Sequence, residues 1–133
     1  MASEMRDRIV AWLWTWPATE GLTVEEWRAG ASAAEELPLP EGFRHQPVDA
    51  GGVEAQWAWW GDAERDDEAA PVDGPVLVFF HGGGWVVCSI GTHRVLGGRL
   101  AREVGGRTLV VGYRRAPESP FPGPVQDLSL IHI

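Results

Sequence analysis

Apolar positions along the chain recur in three distinct rhythms, and each predicts a different element. Val76 to Phe80 and Thr108 to Tyr113 are continuous apolar runs, which read as strands buried on both faces. Val53, Ala55, Trp57 and Trp59 alternate with Glu54, Gln56, Ala58 and Trp60, a period of two that predicts a half-buried strand. Residues 43–49 precede it across Asp49-Ala50-Gly51-Gly52, so the two form an antiparallel hairpin. Met5, Ile9, Leu13 and Trp16 fall at helical spacing within residues 3–16. Pro17 and Gly21 end that helix. Thr23-Val24-Glu25-Glu26 fits a capping box and opens a second helix from Val24 to about Glu36, with Trp27 facing inward. The two helices are either an ordinary packed pair or a lid over a binding site. A third helix is predicted near 93–104, with Val95, Leu96, Leu100 and Val104 on its buried face. Gly97 and Gly98 inside it cost up to about 1 kcal/mol each relative to alanine. Between two apolar strands this helix makes a βαβ unit, hence a parallel pair. Pro117, Pro120, Pro122 and Pro124 make the next segment an extended loop.

Composition narrows the chemistry. The 133 residues suffice for one small domain with a core. A net charge of −8 argues against nucleic acid and anionic membrane as partners. All 11 basic residues are arginine, which excludes Schiff-base chemistry and a P-loop lysine. Cys88 is the single cysteine, and His45, His81, His93 and His132 lack metal-site spacing, so no metal or other cofactor is expected. The acidic stretch 61–74 lacks the spacing of a calcium loop and reads as solvated. No run is long enough to span a membrane, and no leader segment is convincing. A cytoplasmic protein is expected.

The central strand breaks into His81-Gly82-Gly83-Gly84 and then Trp85. Three glycines free the backbone and bare its N–H groups. Such a turn is a structural bend, a phosphate cradle, or an oxyanion hole for acyl transfer. The missing lysine and the apolar Trp85 to Cys88 disfavour the cradle.

Three motifs occur in order: His81-Gly82-Gly83-Gly84-Trp85, then Ser89-x-x-Thr92-His93, then Tyr113-Arg114-x-Ala116-Pro117-Glu118-x-Pro120-Phe121-Pro122. Together they resemble the hormone-sensitive-lipase-like group of α/β hydrolases, the fold-3 type of carboxylesterases and lipases. The resemblance implies an α/β fold: cap helices over residues 1–40, then the N-terminal half of the α/β-hydrolase sheet over 41–127, with its hairpin and βαβ unit. It implies that the N–H groups of Gly83 and Gly84 form the oxyanion hole. His81 and Gly82 would support the loop, or His81 is simply a satisfied buried histidine. Trp85 would line the pocket or pack in the core. Tyr113, Arg114 and Glu118 would be structural, the last two bracing the loop as an ordinary ion pair. A small acyl or aryl ester is the implied substrate. Gly112 stands where the family usually has Asp, and Ser119 where it often has His.

The family's chemistry needs a serine on a Gly-x-Ser-x-Gly elbow, then an acid, then a histidine. None of Ser3, Ser32, Ser89, Ser119 and Ser129 lies in such an elbow. The triad is therefore expected beyond the end of the chain, and Leu128–Ile133 reads as a foreign tail of translated adaptor DNA. The chain is expected to be an inactive fragment. In this family the nucleophile strand lies beside the strand at 76–80, so self-association through that open edge is expected. The alternative is a non-catalytic binding protein built from the same fold.

Overall fold

A computed structural model of the chain describes residues 4, 6–8, 10, 11, 21–61 and 73–130. Glu4, Arg6 to Arg8, Val10 and Ala11 are helical, while the apolar stripe predicted for that helix lies outside the described residues. So do most of the acidic stretch and residues 131–133. The main elements are α1 (Val24–Ser32, continued by a 3₁₀ turn Ala33–Glu36), β1 (Phe43–Asp49), β2 (Glu54–Trp60), β3 (Val76–Phe80), α2 (Ile90–Val104), β4 (Arg107–Val111) and α3 (Gly123–Leu130). The strands form one sheet in the order β1-β2-β4-β3. β1–β2 and β2–β4 are antiparallel; β3–β4 is the parallel pair that the βαβ pattern predicts. A hairpin leading into a parallel βαβ pair is the arrangement that the resemblance implies. No described helix is long and apolar enough to cross a membrane.

Local signals account for most boundaries. In α1, Thr23 Oγ1 accepts from the Glu26 N–H at 3.2 Å and a Glu26 carboxylate oxygen accepts from the Thr23 N–H at 2.8 Å, the reciprocal pair expected of a capping box. Asp49 Oδ1 accepts from the Gly52 N–H at 2.7 Å and closes the hairpin. Helix α2 starts at Ile90, earlier than predicted, because Ser89 and Thr92 make a second capping box. Gly105 ends it in the left-handed conformation, φ 67°. The segment after Pro122 is helical from Gly123 rather than extended.

Several packing expectations are overturned. β2 is buried on both faces, not one: Ala55, Gln56, Ala58 and Trp59 are all buried. It lies inside the sheet, with β1 and β4 on its two sides. One face joins Val53, Ala55, Leu109, Val111 and Tyr113; the other joins Phe43, Ala58 and Val110. The buried face of α2 is Gly97, Gly98 and Ala101, whereas Leu96, Leu100 and Val104 are exposed. Small residues let the helix axis come down on the sheet. Thr108 Oγ1 even donates to the Gly97 carbonyl at 2.9 Å. Trp27, expected inward, is 41% exposed.

β3, expected to be buried on both faces, instead lies at the end of this sheet, with Val76 and Phe80 exposed and Leu77, Val78 and Phe79 half-buried. Its carboxyl end delivers the glycine turn.

Candidate active site

The turn begins where β3 stops pairing. Gly83 has φ 122° and Gly84 φ 60°. A Cβ on Gly83 would lie 2.1 Å from the Val87 carbonyl oxygen, so only glycine fits there. Trp85 and Cys88 also have positive φ, an uncommon state for residues with side chains. The Gly83 carbonyl accepts from the N–H groups of Val86 (3.1 Å) and Val87 (3.0 Å). His81 is 4% exposed, and its Nδ1 lies 2.8 Å from the Gly82 carbonyl oxygen. A carbonyl only accepts, so Nδ1 carries the proton.

These contacts orient two N–H groups. In a trans peptide the C=O and N–H point in opposite directions. The Gly82 carbonyl, held by His81, turns the Gly83 N–H away from His81. The Gly83 carbonyl, held by Val86 and Val87, turns the Gly84 N–H out of the turn. Among the described residues neither N–H has an acceptor. A shallow cavity of about 270 Å³ opens here, lined by Phe80, His81, the three glycines, Trp85 and Tyr113.

Tyr113 backs the turn. Its hydroxyl donates to the His81 carbonyl, and its ring stacks on the imidazole at 4.3 Å. Trp85, 46% exposed, meets the Tyr113 ring edge-on at 5.2 Å. It borders the cavity and is not a packed core residue. His93 also stacks on His81, at 5.7 Å.

Arg114 and Glu118 do not pair with each other. Arg114 binds Asp127 through its backbone N–H (2.7 Å) and its Nε (2.8 Å), and Asp127 is buried within the last helix. Glu118 binds Arg28 of α1, with both carboxylate oxygens on the guanidinium at 2.6 and 2.7 Å. Sequence reading missed Arg28 and Asp127. Arg28 left one signal: it is the lone cation between Gly21 and Phe43, among five glutamates. Gly112, where the resemblance expects Asp, is packed so that a Cβ would meet Ile90 Cδ1 at 2.8 Å. Ser89 is a helix cap and no free nucleophile, since its hydroxyl donates to Glu35 at 2.7 Å. No group of three or more metal-ligating side chains occurs among the described residues.

Electrostatics sets a pH window. Burial is the main cause that lowers His45, His81 and His93 below the ordinary value near 6.5. His93 and Arg115 push His81 further down, against the Gly82 hydrogen bond. Above pH 6.5 these histidines are neutral in both folded and unfolded chains. Below it the unfolded chain takes up protons first, so stability falls with falling pH. A second loss follows at lower pH. The Arg28 hydrogen bond holds Glu118 down at about 2, and the Arg114 hydrogen bond lowers Asp127. Denaturant melts from pH 8 to 3 are expected to show a decline starting near neutrality and a steeper one below about pH 4.5. His81→Gln is expected to shrink the first, with His45 and His93 carrying what remains.

Comparison with known proteins gives matches to esterases and to the α/β-hydrolase fold. Residues 77–130 match a family model described as alpha/beta hydrolase fold. Arylacetamide deacetylase-like 3 of Homo sapiens is 45% identical over 53 residues, 40% of this chain and 13% of that protein. Carboxylic ester hydrolase LipN of Mycobacterium tuberculosis is 43% identical over 53 residues, 40% of this chain and 14% of that protein. An esterase from the bacterial hormone-sensitive lipase family superposes with a TM-score of 0.75 at 33% identity, over 94% of this chain and 40% of the esterase. The chain thus spans well under half the length of these relatives. The sheet, the turn and these matches define an α/β hydrolase. Within that class the relatives and solved structures that the chain resembles include carboxylic ester hydrolases and esterases of the hormone-sensitive lipase family.

Proposed function

We propose that this chain supplies the oxyanion-stabilising half of a serine carboxylic-ester hydrolase, with the Gly83 and Gly84 N–H groups as donors. One observation carries the reading: each donor's peptide is held by its carbonyl, so both N–H groups are aimed outward before any ligand arrives. Preorganised donors of this kind cost no reorganisation when charge develops. An ester carbonyl would enter the cavity at Trp85. A serine from polypeptide outside these 133 residues would attack it, and the tetrahedral oxyanion would rest on the two N–H groups. His81 and Gly82 support the loop, Trp85 borders the acyl or alcohol group, and Tyr113, Arg114 and Glu118 brace the strand-end loop. The N-terminal segment 1–40 acts as the cap over the half-sheet 41–127. Small acyl or aryl esters are the substrates that suit a cavity of this size and apolar rim.

The 133-residue chain alone is expected to show no turnover of p-nitrophenyl esters. Activity above buffer that a serine-directed organophosphate abolishes would overturn this, with Ser89 the first residue to test. Joining residues 1–127 to the nucleophile-bearing remainder of the esterase at 33% identity is expected to give hydrolysis. The open edge of β3 is a natural site of pairing between copies. Concentration-dependent association on a sizing column is therefore expected, and a monomer at all concentrations would refute it.

A further inference from the structure

Arg28 sits in α1, far along the chain from the glycine turn, yet it contacts both loops at the site. Its Nε donates to the Val86 carbonyl at 2.9 Å, and one terminal nitrogen donates to the Ala116 carbonyl at 2.7 Å. The remaining donors grip Glu118. The guanidinium side chain is only 23% exposed. A planar fork serving two carbonyls and a carboxylate together is a task lysine cannot copy.

The Val86 contact has a continuation. The carbonyl that Arg28 holds belongs to the Val86–Val87 peptide, whose N–H is that of Val87. That N–H donates to the Gly83 carbonyl at 3.0 Å. The Gly83 carbonyl in turn belongs to the peptide whose N–H is that of Gly84. Two trans peptides in series thus connect a fixed positive charge to an outward-facing donor. Hydrogen bonds in a chain polarise one another, and a cation at the carbonyl end strengthens the donor at the other. The Ala116 N–H closes the frame by donating to the Trp85 carbonyl at 2.9 Å.

We infer that Arg28 is a positioning residue of the oxyanion hole, acting on the Gly84 N–H through the Val86–Val87 and Gly83–Gly84 peptides. The inference rests on the oxyanion reading for its purpose, though the relay itself stands on geometry alone. It gives the N-terminal segment a chemical role beyond covering the site: displacing α1 would loosen the donor.

The test uses the ¹⁵N-labelled 133-residue chain, read by amide exchange and chemical shift. In R28A the Val87 amide is expected to exchange faster by on the order of tenfold or more, as loss of a hydrogen bond from a charged donor requires. The Gly84 amide proton is expected to move upfield, while the sheet amides of Ala58 and Val110 stay in place. E118Q is the discriminating control. It removes the ionic partner and keeps both carbonyl contacts, so Val87 and Gly84 should stay near their wild-type values. If R28A leaves Val87 and Gly84 unmoved, or E118Q moves them as much, the relay is wrong. Should R28A lose sheet protection, R28K reads the same two amides. Displacement there with an intact sheet supports the relay, and no displacement refutes it. Butyrate titration separates the two readings. If butyrate fails to shift the Gly83 and Gly84 amides of the wild type while the Arg28 effects hold, the oxyanion reading falls and the relay survives.

Discussion

Gly83→Ala is expected to destroy the glycine turn, whereas Gly84→Ala is expected to leave it standing. At Gly83 two penalties combine. The φ of 122° is closed to residues with a side chain, and the new Cβ would lie 2.1 Å from a backbone oxygen that cannot swing aside. The turn must reopen, and with it go the two hydrogen bonds to the Gly83 carbonyl. Val86 and Val87 amides should lose protection, and both candidate donors lose their aim. At Gly84 the φ of 60° is the left-handed region, and nothing lies within 4 Å of a Cβ. Alanine there costs about 1–2 kcal/mol of backbone strain and no clash. In the esterase hybrid described above, G83A should lower kcat by about 10²–10³ with KM little changed, as loss of an oxyanion donor does elsewhere. Equal effects of the two substitutions on Val87 protection would refute this account of the turn.

The second large effect lies under helix α2. Gly98→Val is expected to destabilise the fold by about 3 kcal/mol, the upper part of the range for overpacking a closed core. A Cβ on Gly98 already meets the buried Phe43 ring at 2.6 Å, and the Trp59 carbonyl oxygen lies 3.6 Å away. Valine adds two methyl groups and a poorer helix propensity. Against a total stability of about 5–15 kcal/mol such a loss is large. Gly98→Ala makes a sharper test of sign. Propensity alone promises a gain of about 1 kcal/mol, and the Phe43 contact should cancel or reverse it. Urea denaturation of both variants checks the claim; an alanine variant more stable by the full propensity gain would show that the helix can lift off the sheet.

That sign change marks where sequence reading stopped. The bounds of β1 and β3 agree with the prediction, and the Thr23 cap forms as expected, because these signals lie within a few residues of one another. The buried face of α2 was misread for a general reason. Periodicity ranks large apolar residues as inward, yet a helix pressed close to a sheet buries what is small. Gly97 and Ala101 take that place, and Leu96, Leu100 and Val104 do not. Ion-pair partners were equally hidden. Arg114 and Glu118 look paired when only local spacing is in view, but their partners lie 13 and 90 residues away.

The sequence by itself determined the kinds of element as far as β4, the βαβ handover into the glycine turn and the family that its three motifs resemble. It also located the residues around which an oxyanion hole is proposed: three adjacent glycines at a strand end suit a structural bend, a phosphate cradle or an oxyanion hole, and the family resemblance favours the last. Tertiary structure decided the rest. It decided which carbonyls hold the Gly83 and Gly84 peptides, that Ser89 is a cap bound to Glu35, and that Arg28 reaches both site loops. The physical reason is one of range. Backbone conformation and capping depend on near neighbours, whereas the aim of an N–H group depends on whatever the fold brings to the other end of its peptide.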